Sequence, residues 1–154
     1  MFKEMRRKDR SMDYEQAVRL LEKGQYGVLS TIGKNGYAYG VPLNYVYIDG
    51  NIYFHCAIEG NKLDNIAYNN KVSFCVIGNA EPIPEKFSFR YESVIAFGRA
   101  EEVYGKEKED ALVGLIKKYS GGFMEKGLEY IKNDCTKAKV IKITVDHLTG
   151  KARK

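Results

Sequence analysis

The chain has 154 residues, enough for one domain with a substantial core, since chains near this size bury roughly 70% of the surface that the unfolded chain exposes. It is 44% hydrophobic, 29% charged and 12% aromatic with three prolines, a balance that excludes a disordered or collagen-like chain. The net charge of +5 is concentrated in residues 6–10 and 151–154, where solvated termini account for it more simply than a nucleic-acid surface does. No apolar run is long enough for a membrane span, and the basic first residues are not followed by the apolar core of a signal peptide, so the expected location is cytoplasmic. Cys56, Cys75 and Cys135 are odd in number and widely spaced, which argues against a disulfide framework. With only His55 and His147 besides, no metal site is expected.

Ser11 and Asp13 are helix-start residues, and Tyr14, Ala17, Val18 and Leu21 then recur at helical spacing until Gly24. From Tyr26 the pattern turns β-rich through residues 28–32, and Asn35-Gly36 marks a tight hairpin. Residues 37–47 alternate: Tyr37, Tyr39, Val41, Leu43, Tyr45 and Tyr47 face one way, while Ala38, Gly40, Pro42 and Asn44 make a nearly bare opposite face. Asp49-Gly50 is a second hairpin turn before a strand over 51–57, with Tyr53, His55 and Ala57 on one side. Residues 59–62 open a short helix carrying Leu63, Ile66 and Ala67, and 71–78 return to strand. Pro82 and Pro84 break the pattern as a loop, 87–103 form a long strand bent at Gly98, and Ala111, Leu112, Leu115, Ile116 and Tyr119 mark a helix ending before Gly121. A helix over 125–132 and a strand over 139–147 complete the chain. These elements predict a single domain over 1–154, mainly β with peripheral helices: a six-stranded antiparallel barrel, closed or nearly so, with a basic N-terminal arm. Six strands enclose too little space for a large ligand, so a cofactor belongs on an outer face or at a subunit interface.

Three stretches could carry chemistry. In 40–45, small residues let a flat ligand approach the backbone and Pro42 withdraws a donor from the ladder, although an edge strand packed under a helix reads the same way. In 55–62, a strand delivers His55 and a glycine turn then presents backbone N–H groups and Lys62 at a helix start, an anion-binding arrangement that Glu59 opposes unless it points away. In 90–101, Tyr91 and Ser93 place hydroxyls in an apolar row with Phe89 and Ile95. There is no nucleophile elbow, dinucleotide fingerprint or P-loop, so redox chemistry would have to come from a bound cofactor.

Residues 5–10, Val41-Pro42-Leu43-Asn44-Tyr45, Tyr53-Phe54-His55-Cys56-Ala57 with Gly60 and Lys62, Tyr91-Glu92-Ser93-Val94 with Gly98-Arg99-Ala100, and residues 148–153 together resemble the nitroimidazole-resistance (Nim-type) proteins of the pyridoxamine phosphate oxidase-like superfamily. The resemblance implies an FMN-binding split β-barrel that works as a homodimer, with flavins in clefts between subunits. It implies that Pro42, Leu43, Asn44 and Tyr45 line the isoalloxazine with backbone groups, that Gly60, Asn61 and Lys62 hold the phosphate, that His55 and Ala57 lie beside the flavin, and that Ser93 sits near the ring. Residues 41–45 lack the arginine that pyridoxamine phosphate oxidases proper tend to carry, which argues against that substrate. The expected function is therefore an FMN-dependent oxidoreductase reducing small acceptors such as nitroaromatic compounds from a small-molecule donor. His55 is the expected catalytic residue, because imidazoles as a class exchange protons near neutral pH. The alternatives are a non-catalytic FMN or haem carrier of the same fold and, on the strength of the tyrosines at 37, 39, 45 and 47, a nucleic-acid-binding barrel, the least favoured of the three.

Overall fold

A computed structural model describes all residues from 1 to 154. Helix α1 (Tyr14–Lys23) starts with a reciprocal cap: the Gln16 N–H donates to the Asp13 carboxylate at 2.8 Å, and the Asp13 N–H donates to the Gln16 side chain at 3.2 Å. Its Ala17, Leu20 and Leu21 are buried in the main core. Strands β1 (Gly27–Ile32) and β2 (Ala38–Leu43) are joined by a turn at Gly36, whose φ is +83°. Strands β3 (Val46–Ile48) and β4 (Asn51–Cys56) meet at Asp49 and Gly50, both with positive φ, as a tight hairpin needs. Helix α2 (Asn61–Tyr68) leads to β5 (Lys71–Ile83) and β6 (Ser88–Val103), followed by α3 (Gly105–Ser120), α4 (Met124–Asp134) and β7 (Lys139–Arg153).

All pairings are antiparallel, in the order β2-β1-β5-β6-β7-β4-β3. The edge strands β2 and β3 are consecutive in the chain, separated only by Asn44 and Tyr45, a link that spans at most about 11 Å. The sheet must therefore roll until its two edges nearly meet, leaving a seam rather than a closed barrel. There are seven strands, not the six expected, because residues 37–47 do not form one strand. At Asn44 and Tyr45 the chain leaves β1 and crosses to β4, and the Tyr45 N–H and carbonyl bond to the Tyr119 hydroxyl, at 3.1 and 3.0 Å, instead of to a neighbouring strand.

The alternation holds across the crossing. Val41, Leu43, Tyr45 and Tyr47 turn into the main core with Ile52, Phe54, Phe74 and Ile143, while Ala38, Gly40, Pro42 and Asn44 lie exposed outside, under no helix. A second core outside the sheet joins Val46, Tyr53, Val103 and Val140 to Ala111 and Leu115 of α3. Three other boundaries differ from expectation. Strand β5 runs through Pro82, which pairs with Phe89, so that only residues 84–87 turn. Helix α3 begins at Gly105, and β7 continues past His147 to pair Arg153 with Tyr91. The bend at Gly98 is present as a register shift between Phe97 and Gly98 against β7. No helix is long and apolar enough to cross a membrane.

Candidate functional site at the barrel seam

Strand β2 pairs only with β1, and β4 beyond Tyr53 pairs only with β7, so each turns an unpaired edge toward the seam. The β3–β4 register matches Val46 with Tyr53 and Ile48 with Asn51. Continued by the same count, it would set Asn44 opposite His55 and Pro42 opposite Ala57. Instead β2 peels away to β1, and those residues become the two lips of a slot. Strand edges offer rows of N–H and C=O groups, and the bare stripe of Ala38, Gly40 and Pro42 beside them keeps side chains out of the way of a flat ligand.

The four expected residues of the first lip divide. Pro42 and Asn44 are exposed, whereas Leu43 is half-buried and turned inward, so it offers the seam only its backbone. Tyr45 is fully buried. Its hydroxyl donates to the Leu21 carbonyl, its backbone is bonded to Tyr119, and Lys118 Nζ donates to its carbonyl at 3.0 Å while lying 3.8 Å from its ring centroid. Tyr45 thus stands behind the lip as its anchor. Lys118 and Tyr119 of α3 complete that anchor, the Tyr119 hydroxyl also donating to the Gln25 carbonyl at 2.7 Å. Sequence reading placed Tyr119 only on a helix face and passed over Lys118, because nothing local marks a partner 73 residues away. Burial pulls the Lys118 ammonium down to about 8.

On the opposite lip, His55 and Ala57 are exposed. Beyond them the chain turns at Gly60, whose φ of +154° favours glycine, into α2. The Gly60 carbonyl accepts from the Asp64 N–H at 3.1 Å, and the amides of Asn61, Lys62 and Leu63 precede the first intrahelical donor. Lys62 is half-buried and makes no ion pair, while Glu59 and Asp64 are exposed. Helix dipole, free amides and an unspent ammonium therefore coincide at the end of the slot, which suits a phosphate.

Ser93 lies elsewhere. It points outward from β6 between Ile77 of β5 and Lys151 of β7, and β6 is three strands from β2, about 14 Å along the sheet. Its surroundings form a second feature, an outward sheet face that no helix covers, with rows such as Pro42–Val28–Cys75–Ile95–Thr149 in register. Ile77, Ile95 and Phe97 are exposed on it. The N-terminal arm folds onto its far edge, Phe2 stacking on His147 at 4.5 Å, and the arm is tied to the tail where the Met12 N–H donates to the Gly150 carbonyl at 2.9 Å. Burial raises the Tyr91 phenol, but hydrogen bonds from Arg10 and Lys151 outweigh it and bring the group below its ordinary value.

A family model described as Pyridoxamine 5'-phosphate oxidase matches residues 13–152. No functionally curated protein matches the sequence. Among solved structures, a candidate 5-nitroimidazole antibiotic resistance protein from Bacteroides thetaiotaomicron superposes with a TM-score of 0.75 at 23% identity, over 92% of this chain and 85% of that one. An FAD-binding protein from Mesorhizobium loti gives 0.71 at 21% identity, over 94% and 98% of the two chains. An FAD and haem binding protein from Mycobacterium smegmatis gives 0.80 at 16%, over 94% and 73%. At these identities the likeness establishes a shared fold.

Proposed function

The chain belongs to the pyridoxamine 5'-phosphate oxidase family, and from that premise we propose that it is an FMN-dependent oxidoreductase that reduces small acceptors of the nitroaromatic kind. The observation that carries this reading is the slot at the seam: two unpaired strand edges for a planar ring, ending at the first turn of α2 with an unpaired Lys62 for a phosphate. When bound, the flavin supplies two-electron redox chemistry, and the protein supplies binding, orientation and protons. Backbone groups of Pro42, Leu43 and Asn44 would bound one side of the ring and His55 and Ala57 the other, with Gly60, Asn61 and Lys62 at the phosphate. Tyr45 contributes by fixing the crossing at which the lips diverge. A single half-buried, unpaired ammonium at the slot favours the mononucleotide over a dinucleotide with two phosphates. Because residues 41–45 hold no arginine, oxidation of pyridoxamine phosphate is not the proposed reaction.

The uncovered outward face supports a homodimer. In it Ser93, which lies two strands from the β4 lip and three from the β2 lip of its own seam, and the arm and tail beside it would lie against the partner's flavin. His55 is the proposed proton donor, being the one imidazole on the lips of the slot.

An absorption spectrum after adding FMN and desalting tests the cofactor. Retained two-band flavin absorbance with turnover of a reduced nicotinamide or another donor supports the reading. Retained flavin without turnover points to a carrier, a single intense haem band to haem handling, and no retained chromophore rejects the assignment. His55→Ala is expected to keep FMN and lose roughly 100-fold in turnover, the usual scale of a lost general acid; full turnover would remove His55 from that role.

A further inference from the structure

The α3–α4 hairpin bounds a partly open cavity of about 160 Å3 that His55 helps to line. Leu115, Ile116 and Ile131 make its apolar floor, and α4 lies close because Gly127 has no side chain where Ile116 packs. Polar groups occur only around it: the His55 imidazole, the Tyr130 phenol, and Asp134 in an ion pair with Lys137 at 2.8 Å. Apolar walls with a few polar groups are what a small-molecule site requires. A volume of this order suits a single aromatic ring, as a dry cavity of roughly 150 Å3 does for benzene.

We propose that this cavity is the acceptor pocket, taking a single planar heteroaromatic ring without a phosphate. The inference rests on the flavin reading of the neighbouring slot, with which the cavity shares His55: the same residue that would face Asn44 if the β3–β4 register continued also lines the pocket. A ring seated here has its polar substituent at His55, on the side of the slot. Isoalloxazine, with three fused rings, is assigned to the seam. A phosphorylated pyridine is disfavoured, because the one lysine on the rim is already paired with Asp134 and the lining holds no other lysine or arginine for a phosphate. The sequence offered no sign of the pocket, whose floor residues read only as the buried faces of two helices.

The test is a titration of the full-length chain, isotopically labelled at isoleucine methyls and histidine rings, with 2-methyl-5-nitroimidazole and with pyridoxamine phosphate. The expected result is saturable shifts at Ile116, Ile131 and His55 with the nitroimidazole, none at those isoleucines with the phosphate ester, and at least tenfold weaker nitroimidazole binding in Ala138→Leu and Cys135→Phe, which narrow the pocket from two sides. Far-UV circular dichroism identifies a variant that has lost its fold, leaving the other to report. Absence of shifts at Ile116 and Ile131, shifts confined to His147 or to isoleucines outside the pocket, or unchanged affinity in a folded variant would each overturn the proposal. Flavin retention is measured separately on the same samples: loss of FMN with intact nitroimidazole shifts would defeat the flavin reading and leave the pocket standing, whereas retained FMN without those shifts would defeat the pocket alone.

Discussion

Lys62 and Lys118 are both half-buried lysines without a carboxylate partner, yet their surroundings give them opposite work. Lys62 stands in the first turn of α2 beside unpaired amides and makes no ion pair, so its charge is available to a ligand. A charge-assisted hydrogen bond contributes about 1.5–3 kcal/mol, so Lys62→Gln should weaken FMN binding by roughly 10- to 100-fold while leaving the urea midpoint of the flavin-free protein unchanged, a pair of values that fluorescence titration and denaturation will read. Lys118 is instead spent on the Tyr45 carbonyl and ring. Its folded-state value lies near 8, below that of an unfolded lysine, so between about pH 8 and pH 10 the unfolded chain holds a proton that the folded one has released. Stability from this group should therefore rise over that window. Burial holds Tyr45 and Tyr119 above the ordinary phenol value, so beyond about pH 10 unfolded tyrosines ionise first and stability falls. Urea midpoints at pH 7.5, 9.5 and 11 should trace this rise and fall, and Lys118→Met should flatten the rise. The motif residues of the slot were legible in the sequence because spacing along a strand and at a helix start is local. Lys118 and Tyr119 were not, because their partners lie far away in the chain.

At the scale of elements, alternation and turn chemistry located the strands, and long-range pairing decided where they end. Asn35-Gly36 and Asp49-Gly50 were readable as hairpin turns, since both take up positive φ in the fold. The crossing at Asn44 and Tyr45 was not, because the alternation of residues 37–47 continues unbroken while the pairing partner changes. Pro82 read as a breaker but stays in β5, paired with Phe89 toward the hairpin tip. Gly98 is a case in which a local signal and a tertiary need agree. A Cβ there would press into the Thr144 carbonyl and come within 2.7 Å of Ile143 Cγ2, so backbone rather than a flexible side chain would have to yield. Gly98→Ala should cost about 2–3 kcal/mol in urea denaturation, the range of overpacked cores. Gly121→Ala, where nothing lies within 4 Å of the added methyl, should stay within about 0.5 kcal/mol.

For the whole molecule, the uncovered face through Val28, Cys75 and Ile95 is the contact surface of the proposed homodimer. A charge at its centre is hard to bury in a self-complementary contact. Ile95→Lys, at a position 38% exposed in the single chain, should keep the fold, shift the sedimentation coefficient from dimer to monomer, and lower FMN retention because Ser93 and the arm no longer reach a partner. A wild-type protein that sediments as a monomer and still retains FMN would refute that arrangement.

By itself the sequence determined that this chain is mainly β, which of its strand faces are bulky and which bare, and where a glycine turn opens a helix, because side-chain period, turn residues and helix starts are properties of neighbouring residues. Tertiary structure alone decided that residues 37–47 serve two edges of one sheet, that Tyr45 is an anchor rather than an open surface, that Ser93 lies two strands from β4 and three from β2, and that His55 lines a cavity under α3 and α4. Those outcomes follow from how the sheet rolls and where α3 and α4 settle on it, and that is set by the summed burial of residues scattered along the whole chain.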